Sequence, residues 1–387
     1  MDTGLYLTRS PRANIACLYF NSRYVGIGHL CHCRFRELFQ IVAIPMISSH
    51  VLQSLPMFVR NELGERALLR ANRGAGFDIE LIEDHNVYIP QQSVLGFVDA
   101  MARAVGDANL GLLLVPNMDV SAYGSFGRFI TEADTLGRAI KRSIVALQYH
   151  SSFDSLTVKT THEELRFGYK SALARSPGYE SVACAAAGEL LSLFKAYLPD
   201  HWRPLRVELD ITTPSHSSSL FEDVFQCPVI FNAPEVAIVV ERHRLMSVSR
   251  RASRSALTLE DVARDRPGGA PRTLLQIATS QIRAQLLAGD LSIEDTARSL
   301  DTSVRTLQRE LRHAGTDFRS LTSEVRIQRA TEMLRDGSVS ITNISEDLGY
   351  SSPAGFSRAF RKATGFGPRE FRMREILNTA DSEAAIT

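Results

Sequence analysis

Leu291-Ser-Ile-Glu-Asp-Thr-Ala-Arg-Ser-Leu300, a short break and Ser303-Val-Arg-Thr-Leu-Gln-Arg-Glu-Leu-Arg-His-Ala-Gly315 form one pattern. It returns as Val339-Ser-Ile-Thr-Asn-Ile-Ser-Glu-Asp-Leu348, then Gly349-Tyr350, then Ser352-Pro-Ala-Gly-Phe-Ser-Arg-Ala-Phe-Arg-Lys-Ala-Thr-Gly365. Ile293 aligns with Ile341, Leu300 with Leu348, Leu307 with Phe356, Arg309 with Arg358 and Leu311 with Phe360. An offset held near about 49 residues marks an internal duplication.

Each copy reads as a helix, a tight turn and a second helix. Ser292 with Asp295 three residues on has capping-box spacing, and Ile293, Ala297 and Leu300 follow on one face. Ser303 can cap the next helix, whose inner stripe is Val304, Leu307 and Leu311. In the second copy Ser352 is the cap and Pro353 takes the first helical position, where a missing N–H costs nothing. Gly315 and Gly365 fall where a left-handed residue ends each second helix. Helices this short do not stand alone, so each pair must pack as a helix-turn-helix unit, with its second helix shaped for a major groove.

Opposite the inner stripe of the first copy lie Arg305, Thr306, Gln308, Arg309 and Arg312, with Ser303 at the tip. Arg and Gln suit bidentate contacts with guanine and adenine edges. The second copy presents Ser352, Pro353, Ala354, Ser357, Arg358 and Arg361, a set with fewer long polar groups. That set predicts less base reading and more contact with backbone or thymine methyls. The alternative, that these arginines are only a solvated face, is weakened by the agreement of two copies.

With those residues in view, Ile344 to Arg372 resembles the C-terminal signature of AraC/XylS-family transcription regulators. The resemblance implies two helix-turn-helix units joined by a long helix, here Phe318 to Leu334, and set about one DNA turn apart. Ser345 departs from a usual Ala and Gly367 from a usual Ser or Thr before Pro368. Both are small-for-small changes that bear on local packing and capping.

The 387 residues allow two or three domains, and 44% hydrophobic with 22% charged residues is ordinary for a globular chain. The formal net charge of +1 would hide nucleic-acid binding; Arg272 to Glu375 holds 16 Lys or Arg against 13 Asp or Glu, a small excess, so the placement of the arginines matters more than the sum. No run reaches the roughly 18 apolar residues of a membrane span. Five unevenly spread cysteines suit a reducing cytoplasm; a bacterial, nucleoid-associated location is what the AraC/XylS resemblance implies. Cys31-His-Cys33 lacks metal-ligand spacing, so no metal, cofactor or catalytic residue is expected.

Residues 1–45 read as a poorly ordered N-terminal extension from an upstream start, with the functional chain beginning near Met46. Helical periodicity covers 51–64, 65–75, 90–105, 131–150 and 181–198, while 155–170, 205–211, 225–231 and 236–242 read as strands. The expected architecture is an α+β N-terminal effector domain followed by an all-α C-terminal domain with two helix-turn-helix units. Leu110-Gly-Leu, Tyr123-Gly-Ser-Phe-Gly127, Thr135-Leu-Gly-Arg-Ala139 and Phe225 to Asn232 resemble the arabinose-binding-type N-terminal region of ornithine-utilisation-type regulators. That resemblance implies effector sensing, with homodimerisation as a further implication.

Tyr123, Ser125, Phe126 and Arg128 form a glycine-punctuated cluster able to close on a small carboxylate, Arg128 supplying the planar fork. The alternative is that the glycines make a turn and the aromatics fill core. His150 and His162 read as surface or core residues, and Cys184 and Cys227 as inert small hydrophobes. The expected domains are 46–245 for effector binding, a polar linker over 246–271, a DNA-binding domain over 272–376 and a tail over 377–387.

The expected function is a DNA-binding transcription regulator controlled by a small metabolite such as an amino acid or carboxylate. Its partners would be promoter or operator duplex DNA, the effector and RNA polymerase, with no membrane. One alternative is an enzyme fused to this DNA-binding unit, such as a cysteine alkyl-transfer repair protein, but no Pro-Cys-His-Arg-type motif is present. The other is a ligand-independent architectural DNA binder, which would not need the large N-terminal half.

Overall fold

The computed structural model describes residues 44–52, 55–76, 86–105, 110–213, 218–249, 257–289 and 291–375. The readings made for residues 1–43, which include Cys17, Cys31 and Cys33, and for the tail over 377–387 lie outside them.

Strands β1 (Met46–Ser48) and β2 (Tyr88–Pro90) pair antiparallel with Ile47 opposite Ile89. Helices α1 (Leu55–Leu63) and α2 (Glu65–Ala75) lie between them in the chain, and α3 (Gln91–Val105) follows β2. Gly74 and Gly96 let α2 and α3 touch: a Cβ on Gly74 would stand 2.3 Å from the Gly96 carbonyl oxygen. Short α4 (Leu110–Leu114) and α5 (Gly124–Thr131) come next. The long helix expected over 131–150 is α6 (Leu136–Ala146), capped by Thr135 and ending in a 3₁₀ turn at Leu147–Tyr149.

A five-stranded sheet follows, built from β3 (Ser155–Thr160), β4 (Glu164–Lys170), β5 (Arg206–Glu208), β6 (Val229–Ile230) and β7 (Val236–Glu241) in the order β3-β4-β7-β5-β6. Helix α7 (Tyr179–Lys195) packs on β7, and α8 (Ser218–Phe225) precedes β6. The strand-turn-strand expected over 225–242 is present as two strands but not as a hairpin. β6 runs parallel to β5, while β7 sits between β4 and β5. Val236 to Val240 are all buried, the apolar run of a strand covered on both faces.

The C-terminal half is all helical: α9 (Leu259–Asp265), α10 (Leu274–Ala288), α11 (Ile293–Ser299), α12 (Val304–His313), α13 (Phe318–Asp336), α14 (Ile341–Asp347) and α15 (Pro353–Thr364), with residues 368–375 also helical. The 246–271 linker reading is corrected over its second part. Thr258 and Asp261 form a capping box that starts α9, and Val262 is buried in the core of the N-terminal half. Beyond it Ala270 donates its N–H to the Gln148 carbonyl at 2.7 Å, and Arg266 is only 4% exposed.

The two halves share a core. Ile44 and Met46 belong to the same buried cluster as Ile277, Ile282, Leu307 and Phe356, and Ala284 of α10 belongs to the cluster of α1–α4. Among the described residues Ile44, ahead of Met46, is already part of this packing.

Candidate nucleic-acid interface and effector cavity

In each repeat the serine cap works as its position requires. The Ser292 hydroxyl accepts the Asp295 N–H at 3.0 Å, and Ser340 accepts the Asn343 N–H at 3.1 Å. For the second helices, Ser303 accepts the Thr306 N–H at 3.1 Å and Ser352 the Gly355 N–H at 3.2 Å. Capping satisfies one of the four otherwise unpartnered amides at a helix start. Gly365 (φ +82°) closes α15, and Gly315 (φ +80°) follows the last turn of α12.

Leu307 and Leu311 are the buried side chains of α12, Phe356 and Phe360 those of α15. The opposite faces are open. Arg305, Gln308, Arg309 and Arg312 are exposed on α12, as are Pro353, Ala354, Arg358 and Arg361 on α15. Thr306 and Ser357 are half-buried. Ser303 and Thr306 share a hydroxyl contact of 2.9 Å, so this pair and Ser352 are engaged at the helix starts. Arg309 holds Glu310 at 2.9 Å, and Arg312 reaches the Gln308 carbonyl at 3.2 Å. Among the described residues neither Arg305 nor Arg358 is ion-paired.

The first unit packs on α10 and the second on α13, the helix that joins them, which the Asp317 side chain caps and Gly337 ends. Its 19 residues make a rod of about 28 Å at 1.5 Å per residue. It packs on α10, α14 and α15 through Leu321, Val325, Ala330 and Leu334. Ser345, the departure noted above, is fully buried and its hydroxyl has no hydrogen-bond partner among the described residues.

The N-terminal half encloses a cavity of about 110 Å³ among α3, α5, α7 and the sheet. Tyr123 and Phe126 line it, but Ser125 and Arg128 do not. Arg128 points outward, its side chain 57% exposed and paired with Glu132 at 3.2 Å. A helix turns about 100° per residue, so a position two beyond Phe126 faces away from it. The carboxylate clamp read from this stretch is therefore not assembled.

Three groups absent from the expected cluster line the cavity instead: His150, Glu189 and Tyr169. The His150 ring lies between Tyr123 and Phe126, with centroids 4.9 and 4.8 Å away. Burial, with the nearby Arg266 cation, pushes His150 down to about 3, so it is neutral at physiological pH. Glu189 accepts the Tyr123 hydroxyl proton, and burial pushes its carboxyl up to about 7. Tyr169 donates to Asp154 at 2.9 Å, as does Gln91 at 2.8 Å.

Beside the cavity, Arg266 donates to Ser48 at 2.6 Å, contacts His50 Nδ1 at 2.5 Å and lies over the Tyr88 ring. No group of three or more His, Cys, Asp or Glu able to hold a metal occurs among the described residues. Nor is any described helix long and apolar enough to cross a membrane.

Two capped helices with open arginine-bearing faces, joined by one rod and packed against a domain with an internal cavity, define a two-domain DNA-binding regulator. Comparison with known proteins gives the family. The N-terminal arabinose-binding domain of AraC transcription regulators matches residues 67–247, and a helix-turn-helix domain matches residues 296–374. The chain belongs to the AraC family of transcription regulators.

It is 27% identical over 289 residues to the ornithine utilization regulator of Pseudomonas aeruginosa, covering 69% of this chain and 79% of that protein. It is 26% identical over 297 residues to the HTH-type transcriptional regulator VirS of Mycobacterium tuberculosis, covering 72% and 84%. Among solved structures, the transcriptional regulator CdpR from Pseudomonas aeruginosa is 24% identical, with a TM-score of 0.33 and coverage of 68% and 86%.

Proposed function

We propose that this regulator grips duplex DNA with both units at once and that a small effector in the N-terminal cavity sets its action. Arg305, Gln308, Arg309 and Arg312 of α12 read base edges in one major-groove segment. Arg358 and Arg361 of α15 hold the backbone in the next, where Pro353 and Ala354 can meet thymine methyls. The observation that carries this reading is the openness of both second-helix faces beside buried, capped scaffolding.

Strand β1 offers the route between cavity and DNA. Ile47 lines the cavity, while its neighbour Met46 belongs to the core that holds α10. β1 is also tied to the segment carrying His150, since Ser48 donates to the His150 carbonyl at 2.8 Å. Cys184 and Cys227 are buried with thiols pushed up to about 12 and about 11 by that burial, so neither is set up as a thiol nucleophile. RNA polymerase and a second copy of the chain complete the proposed partners, with the cytoplasm at the nucleoid as the site of action.

Footprinting with the full chain tests the reading. Two protected major-groove segments about 10 base pairs apart are expected. Protection of one segment alone would overturn the double grip.

A further inference from the structure

The polar inventory of the cavity narrows what can fill it. Ser143 is spent on the Ala139 carbonyl, Ser171 on the Leu173 N–H, and Gln91 on Ser151 and Asp154. Asp154 lies behind the lining and is saturated by Gln91, Ser151, Tyr169 and the Ala172 N–H. Glu189 differs. Oε1 takes the Tyr123 hydroxyl proton, and Oε2 takes no hydrogen bond among the described residues. Among the described residues no Lys or Arg lines the cavity, and His150 is held neutral against two rings.

A carboxylate in such a place lacks the partner that buried charge requires. Its carboxyl sits near 7 because burial penalises the ion with no cation to offset it. A ligand ammonium would supply that cation. A ligand carboxylate would meet Glu189 with like charge. The remaining walls, among them Val94, Leu95, Val98 and Leu190, are apolar. A volume of about 110 Å³ is somewhat below the roughly 150 Å³ of a dry protein cavity that takes benzene.

We propose that the effector is a compact amphiphilic amine, its ammonium on Glu189 and a short aliphatic body against the apolar walls. The inference rests on the reading of this cavity as the effector seat. It turns the sensor away from carboxylates, the ligands that an outward-facing Arg128 cannot hold.

The test is calorimetric binding to the full-length protein of two matched series: propylamine, propionate and 1-propanol, then butylamine, butyrate and 1-butanol. The amine of each series should bind about tenfold or more tightly than its alcohol, and the carboxylate more weakly still. Glu189→Gln, checked for folding by circular dichroism, should remove the amine's advantage over its alcohol. Val94→Phe, which fills the cavity, should abolish all binding.

Equal binding of amine and alcohol, or preference for the carboxylate, would overturn the amine assignment and leave the effector seat standing. Binding of every compound to Val94→Phe as to the wild type would put the seat itself elsewhere. No binding by any compound would overturn both.

Discussion

In the first helix-turn-helix unit, α12 buries two leucines and packs on α10, whose Ile277 and Ile282 share the buried cluster of Leu307 and Leu311. In the second, α15 buries Phe356 and Phe360, whose rings run in series with Tyr350 and Phe371 at centroid spacings of 5.4, 5.7 and 5.5 Å. Arg326 of α13 lies over the Tyr350 ring. The turns differ too: Asp301 takes a left-handed φ of +46° where the second unit has Gly349 at +69°. Outside, the first unit shows Arg305, Gln308, Arg309 and Arg312, while the second shows Pro353 and Ala354 before its arginines. Duplication has thus yielded one unit with an aliphatic interior and a hydrogen-bonding exterior, and another with an aromatic interior and a plainer exterior. The first is suited to reading, the second to anchoring.

Three measurements would break or sharpen that contrast. The largest effect is expected inside: Phe356→Ala should cost about 3–5 kcal/mol and Leu307→Ala should fall nearer the lower end of about 2–5 kcal/mol. Urea denaturation compares them, and an equal or larger loss for Leu307→Ala would deny the aromatic unit its greater share of stability.

Next comes DNA. Arg305→Ala or Arg309→Ala should cost about 1–3 kcal/mol and relax specificity at one base pair. Arg358→Ala should weaken all sequences alike and lower the salt slope by about 1. Titration against an operator and its single-base variants at several salt concentrations distinguishes the two. A uniform loss for the α12 arginines would make them phosphate contacts.

The smallest effect concerns the caps. Asp295 is held below its ordinary value by the Ser292 hydroxyl and then by Arg298, whereas the equivalent Asn343 cannot ionise. A depressed folded-state value means stabilisation that is complete above the unfolded value of about 3.9 and is lost as pH falls through the folded one. Asp295→Asn should flatten that acid limb of the stability curve, and Asn343→Ala should leave its shape alone. An unchanged acid limb in Asp295→Asn, followed by circular dichroism, would remove Asp295 from the account.

The DNA-binding half was legible because its signals are local. Caps, glycine stops and the spacing of Leu307 with Leu311 lie within a few residues of one another, and the repeat doubles each of them. The cavity was not legible in the same way, because its walls come from Ile47, Val94, Tyr123, His150 and Glu189, which only tertiary packing brings together. One signal was available. Val182, Ala185, Ala186, Glu189, Leu190 and Leu193 form a helical apolar stripe with an acid inside it, and a charge there marks a group turned inward. The Tyr123–Arg128 stretch reads as one polar-aromatic cluster in sequence, but residues 124–131 are helical and the helix sends Phe126 and Arg128 to opposite sides. The folded part of the expected linker was legible in Thr258 and Asp261, whose capping spacing was outweighed by the surrounding arginines, serines, glycines and prolines.

Strand β1 has a practical corollary for anyone recombining these proteins. Since Met46 fills one half and Ile47 the other, no cut after residue 245 yields two finished pieces. A fragment starting at Arg272 would leave the groove around Ile277 and Ile282 without Ile44 and Met46. A chimera that joins this sensor to a relative's DNA reader would have to refit three short residues of strand to a foreign helix.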